Sequence, residues 1–172
     1  MKTIIFLFAC LALLSVNSCS EDTSSDADVS VYLHDAPDSA YQKIKIELKA
    51  VAIYSQASGS WVTLTVENGI FDLLTLDSMH QQFLGKLKLQ GGDITDLQLT
   101  IGSQNTITVS GIDHPLILDP SDLDKLKVKI NNKLKGGTSY KLSIDFKAKE
   151  SIDQNGNVYK LKASLKISIK EI

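Results

Sequence analysis

The sequence predicts one all-β domain, a sandwich of antiparallel sheets, from Val29 onward, and three observations lead there. Apolar and polar residues alternate with a period of two in one segment after another. Clusters of Gly, Asn, Asp and Ser separate those segments. Lysine fills the polar positions of many of them. Such alternation places one face of a strand in a core and the other in water, and a succession of short strands of this kind stacks into two sheets. The lysines on the wet faces keep the chain soluble and discourage edge-to-edge pairing.

In order, Val29 to Leu33 alternates, and Lys43 to Leu48 does the same. The turn Ser58-Gly59-Ser60 leads into Trp61 to Val66. Asp96 to Ile101 and Asn105 to Val109 continue the pattern, and Gly111-Ile112-Asp113 reads as a hairpin tip before Pro115 to Leu118. Lys125 to Ile130 and Tyr140 to Phe146 follow. Asp153 to Asn157 is the last turn, with Val158 to Ile169 as the closing strand. Ser78 to Leu87 is the one stretch with a helical option, a loop into the next strand being the other. At 172 residues the chain fits a single domain that buries a core without disulfides.

The N-terminus reads as a secretory signal. Lys2 gives it a positive start, and Ile4 to Leu14 is an apolar run too short to span a bilayer. Ser15-Val16-Asn17-Ser18-Cys19 then resembles a lipobox, in which Cys19 receives diacylglycerol and becomes the first mature residue. Of the two cysteines, Cys10 falls in the removed segment, so the mature chain keeps Cys19 alone and forms no internal disulfide. An ordinary secretory cleavage that leaves a free thiol is the alternative. Ser20 to Asp28 is small and acidic and reads as a flexible tether. Its acidic start resembles the surface-export signal of Bacteroidota lipoproteins. The expected division is therefore a signal peptide over 1–18, a lipidated tether over 19–28 and the sandwich over 29–172.

Two stretches carry a family resemblance. One is Val29-Ser-Val-Tyr-Leu-His-Asp-Ala-Pro-Asp, leading into an alternating strand over Lys43 to Tyr54. The other is Trp61-Val-Thr-Leu, followed by Phe71-Asp-Leu-Leu-Thr-Leu, Leu84-Gly and Gly91-Gly. Together, from about Val29 to about Ile169, they resemble the lipoprotein family named domain of unknown function 4382. The resemblance implies an immunoglobulin-like or prealbumin-like sandwich and supplies no activity. It leads to an expected Thr where His34 stands, and to an expected Arg where Gln98 stands.

Candidate chemistry is sparse. His34, Asp35 and Asp38, around Ala36 and Pro37, form the most suggestive polar cluster, either a ligand or cation loop or a turn capped by Asp35. Asp153 to Asn157 starts like a calcium loop, but Ser164 stands at the twelfth position where a bidentate Glu is needed, so a hairpin turn is expected. His34, His80 and His114 have no paired spacing, and no nucleophile elbow, P-loop or dinucleotide fingerprint is present. Tyr32, Tyr41, Tyr54 and Trp61 could build a sugar-binding platform, with Trp61 as a candidate aromatic contact, although core packing is the commoner use of such rings. No cofactor and no metal is expected.

Net charge is −2 and the chain has no arginine, so the bidentate fork that reads phosphates and guanine edges is missing and a nucleic-acid partner is not expected. The expectation is an outer-membrane lipoprotein, held to the bilayer through acylated Cys19 and facing the cell exterior. It would act as a non-enzymatic binding or accessory module for an envelope protein or glycan. A fimbria-like subunit assembling by strand exchange is the alternative.

Overall fold

The computed structural model describes residues 25–35, 41–118, 126–162 and 164–172. The signal peptide, Cys19, Asp38 and the first part of the tether lie outside them. The chain forms β1 (Asp26–His34), β2 (Lys43–Ser55), β3 (Ser60–Thr65) and β4 (Ile70–Asp72), then a 3-10 turn over Leu73–Thr75. Next come β5 (Gln82–Gln90), β6 (Gly92–Ile101), β7 (Thr106–Val109), β8 (Ile112–Leu118) and β9 (Lys127–Leu134). The last part holds β10 (Ser139–Asp145), the short α1 (Ala148–Ser151), β11 (Ile152–Asn155), β12 (Val158–Leu161) and β13 (Lys166–Glu171). No helix among the described residues is long and apolar enough to cross a membrane.

These strands make the expected all-β sandwich. The smaller sheet runs β13-β10-β1-β5, and the larger runs β11-β12-β8-β7-β2-β6-β9, with β3 and β4 on the opposite edge of β2. Val29, Val31 and Leu33 of β1, with Leu142 and Ile144 of β10, face Ile44, Ile46, Val51, Ile53 and Leu97 of the larger sheet's strands, and all are fully buried. Each such side chain contributes about 1.5–3 kcal/mol when taken out of water. The sheets are mixed, not purely antiparallel: β1 runs parallel to β10, and β12 parallel to β8.

β2 is the spine of the larger sheet. Its first half lies between β4 and β7, and its second half between β3 and β6. A register shift between Leu48 and Ala50 separates the halves and changes the phase of alternation. Ile44, Ile46 and Leu48 are buried before it, Val51, Ile53 and Ser55 after it. Both neighbouring edges are interrupted here, and the gap is stitched by side chains. Glu47 N–H donates to Asn105 Oδ1 at 2.8 Å, Asn105 Nδ2 to the Gly102 carbonyl at 2.8 Å, and Gln104 N–H to Glu47 Oε2 at 2.9 Å. The Glu47 carboxyl is held below the usual carboxylate range, first by its bond to Lys49 and next by the Gln104 N–H, against burial. Gly102 is required by proximity, since a Cβ there would overlap the Glu47 carboxylate.

Three expectations change, and one open choice is decided. β1 begins at Asp26, within the predicted tether, because Ala27 is small enough to fill the end of the core and Asp28 N–H reaches the Thr138 carbonyl at 3.0 Å. Of the two options for Ser78 to Leu87, the structure takes the loop. It leads into β5, whose Lys86-Leu87-Lys88-Leu89 alternation drives that strand into the sheet. The hairpin between β7 and β8 turns at Ser110 and Gly111, and Ile112 and Asp113 already belong to β8. The single closing strand is two: β12 joins the larger sheet and β13 the smaller. The crossing is anchored by Ser151, whose carbonyl accepts Lys162 N–H at 2.7 Å and whose Oγ accepts Ser164 N–H at 2.9 Å.

Candidate functional site

The outer face of the smaller sheet is where alternation leaves chemistry exposed. On β1 the outward residues are Asp28, Ser30, Tyr32 and His34; on β10, Lys141, Ser143 and Asp145; on β13, Lys166, Ser168 and Lys170. Cross-strand register sorts them into rows. Lys86, Ser30, Lys141 and Lys170 form one, and Phe83, Tyr32, Ser143 and Ser168 the next.

Phe83 reaches this face because β5 is bulged. Val31 pairs with Gly85 and Tyr32 with Phe83, so Leu84 is skipped and turned toward the core. Gly85 makes this possible at φ +146°, and a Cβ there would lie 2.7 Å from Leu64 Cδ1 of β3. The result is an aromatic pair, Tyr32 and Phe83, with ring centroids 5.3 Å apart and planes at 53°. Lys141 Nζ lies 4.5 Å from the Tyr32 ring centroid, a cation–π contact.

Beside the pair is a groove of about 270 Å³, lined by His34, Gln81, Lys141, Ser143, Ser168 and Lys170. Ser143 is nearly buried and forms its floor. Gln81 Oε1 is buried and accepts no hydrogen bond among the described residues. The groove therefore offers hydroxyls and ammonium groups next to an exposed ring, a combination suited to a polyhydroxylated ligand.

Of the predicted residues, His34 lines this groove, whereas Asp35 does not join it. Asp35 is 2% exposed, and its Oδ1 accepts Ala148 N–H at 2.9 Å, tying the end of β1 to α1. The turn expected over Ala36 to Asp38 lies outside the described residues. Neighbouring strand positions point to opposite faces, which separates His34 from Asp35. Among the described residues no three His, Cys, Asp or Glu gather as a metal site. Asp153 lies in the β11–β12 hairpin and pairs with Lys162 at 2.5 Å, which holds its carboxyl below the usual range.

Trp61 is not in the core. It is 38% exposed on the outer face of the larger sheet, edge-on to Tyr54 at 5.5 Å, with Lys127 Nζ 5.3 Å from its ring. There, however, Asp96 already engages Lys129 at 2.9 Å and lies 3.9 Å from Lys127. His80 pairs with Asp77 at 3.0 Å in an exposed loop, and His114 packs on Tyr159 at 5.1 Å. A larger groove of about 500 Å³ along Pro115 to Leu118 has no charged or aromatic side chain in its lining. Phe83 and Gln81 were missed in sequence, and Leu84-Gly85 was their one signal, a glycine inside an alternating run.

A family model described as "Domain of unknown function (DUF4382)" matches residues 26–163. The match ends before β13. No curated protein and no solved structure matches the chain.

Proposed function

The chain belongs to the DUF4382 family, and on that premise we propose that it is a membrane-anchored, non-enzymatic module of the cell envelope that binds a glycan on the outer face of its smaller sheet. The observation that carries this reading is the Tyr32–Phe83 pair beside the groove over Ser143. Rings on a wet sheet face stabilise little by themselves in water. A sugar ring stacked on them buries apolar surface on both partners while its hydroxyls bond to the flanking Ser, His and Gln.

The anchoring half of the reading rests on Ser15 to Cys19 and the acidic residues after it. Several acyl chains at about 0.8 kcal/mol per buried CH₂ hold a protein firmly at a bilayer.

Metabolic palmitate labelling and fractionation of wild type and Cys19→Ala tests the anchor: the variant should lose both label and membrane association. Binding of the purified full-length protein to immobilised envelope polysaccharide tests the face. The pair variant Tyr32→Ala/Phe83→Ala should weaken it about fivefold or more, as expected for about 1–3 kcal/mol of lost stacking. A labelled Cys19→Ala protein sinks the anchor, and unchanged binding by the pair variant sinks the face. Polymers seen by light scattering would favour the fimbria-like alternative.

A further inference from the structure

We propose that the glycan taken by this face is acidic, a polysaccharide bearing uronate carboxylates or sulfates; this rests on the glycan-binding reading above and adds the charge of the ligand to it. Lys141 and Lys170 are direct cross-strand partners, and Lys86 continues their row across Ser30. Like charges placed opposite one another on a sheet repel. Elsewhere on the face the rows are balanced: Asp28 stands opposite Lys88, and Asp145 opposite Lys166. The Lys86–Lys141–Lys170 row contains no carboxylate, and none of the three makes an ion pair among the described residues. The protein as a whole is acidic, with a net charge of −2 and a pI near 5.9, so this concentration of positive charge is local.

Chemistry and spacing both point to a chain of acidic sugars. Lysine presents a point charge and not the arginine fork, so it suits single carboxylates or sulfates spaced along a polymer. The row crosses three inter-strand gaps, on the order of 14 Å in total, which is the reach of a short oligosaccharide. The aromatic row runs alongside, one register step of two residues away, so a sugar can stack on the exposed Phe83 ring while its acidic groups meet the lysines, Lys141 among them lying over the Tyr32 ring. Ser168 and Lys170 come from β13, beyond the matched part of the chain, so the last strand supplies part of the selectivity.

The test uses full-length, lipidated protein in mild detergent, with polygalacturonate, alginate and chondroitin sulfate as probes. Each is compared with its neutral counterpart, the methyl esters of the first two and carboxyl-reduced, desulfated chondroitin. The proposal expects binding to at least one acidic polymer, weakened tenfold or more by neutralisation. Lys141→Gln/Lys170→Gln should weaken it roughly threefold to thirtyfold, with Lys170→Gln alone, on the edge strand, as the variant least disturbing to the fold. The control Lys43→Gln/Lys45→Gln, on β2, should bind as the parent does.

Failure to bind any charged or neutral polymer would overturn the glycan-binding reading and this proposal together. Equal binding to charged and neutral polymers, lost with Tyr32→Ala/Phe83→Ala but not with the lysine variants, would overturn the acidity alone. Equally tight binding to polyphosphate or to anionic phospholipid vesicles, or an equal loss in the β2 control, would reduce the row to a general anion surface and overturn the proposal.

Discussion

Replacing Gly85 with alanine disturbs the β5 bulge in two ways, and the structure gives a magnitude for each. A side chain at φ +146° costs about 1–3 kcal/mol of backbone strain. The new Cβ would also lie 2.7 Å from Leu64 Cδ1, inside the ~3.5–4.0 Å of ordinary carbon contact, and relieving such overpacking costs about 1–3 kcal/mol. Both costs are met by the same movement of β5 against β3, so they do not add in full. The expected loss is about 2–4 kcal/mol. Trp61 is the sole tryptophan and sits on β3 with Leu64, so its fluorescence during urea unfolding reports on the affected strand. At a slope of about 2 kcal/mol/M, mid-range for urea, the midpoint should fall by about 1–2 M. Leu64→Ala removes the clash but not the strain, so a double-mutant cycle should show favourable coupling of about 1–2 kcal/mol. A Gly85→Ala protein within about 0.5 kcal/mol of the parent, or a cycle without coupling, would refute the account of the bulge.

Three further outcomes follow from buried polar contacts. Asn105→Ala strands the Glu47 N–H and the Gly102 carbonyl at the break beside β2, and should lower stability by about 2–4 kcal/mol in urea unfolding. Asp35→Ala should cost about 1–3 kcal/mol, with Asp35→Asn recovering part of it by keeping an acceptor for Ala148 N–H. The Asp96 carboxyl is held below its ordinary 3.8, first by Lys129 and then by Thr95. Its contribution is therefore complete above that value and lost as the pH falls through the lower folded-state value. Urea midpoints measured from neutral pH down to pH 3 should fall less steeply for Asp96→Asn than for the parent over the acid end of the range.

How much of this was legible beforehand depended on whether the signal was local. Period-two alternation located β1, β2, β3, β6, β7, β8 and β10, because one face of each is buried and the other wet. It could not say that β1 pairs in parallel with β10, since sheet neighbours are chosen by the whole core. It read Val158 to Ile169 as one strand because Ser151, which divides it, is distant in sequence from the strand it anchors. The site was half visible. Tyr32 and His34 alternate outward in plain view, but Phe83 changes face only through the Gly85 bulge, and Gln81 enters the groove from a loop. The bond from the Ala148 N–H to Asp35 was out of view in sequence because that group belongs to a helix formed by the last quarter of the chain.

The position of β1 has a consequence for the order of events in folding. It is the first strand made, yet it lies inside the smaller sheet between β5 and β10, paired residue for residue with Ser139 to Asp145. Contacts so far apart in sequence form late, because a long loop must close before they are gained. The part of the larger sheet from β2 to β9 can assemble while β1 still lacks its parallel neighbour, and the sandwich is sealed only when β10 to β13 arrive. Until then the inward faces of Val29, Val31 and Leu33 stay accessible to a chaperone. The strand that leaves the ribosome first therefore cannot complete its sheet ahead of the rest.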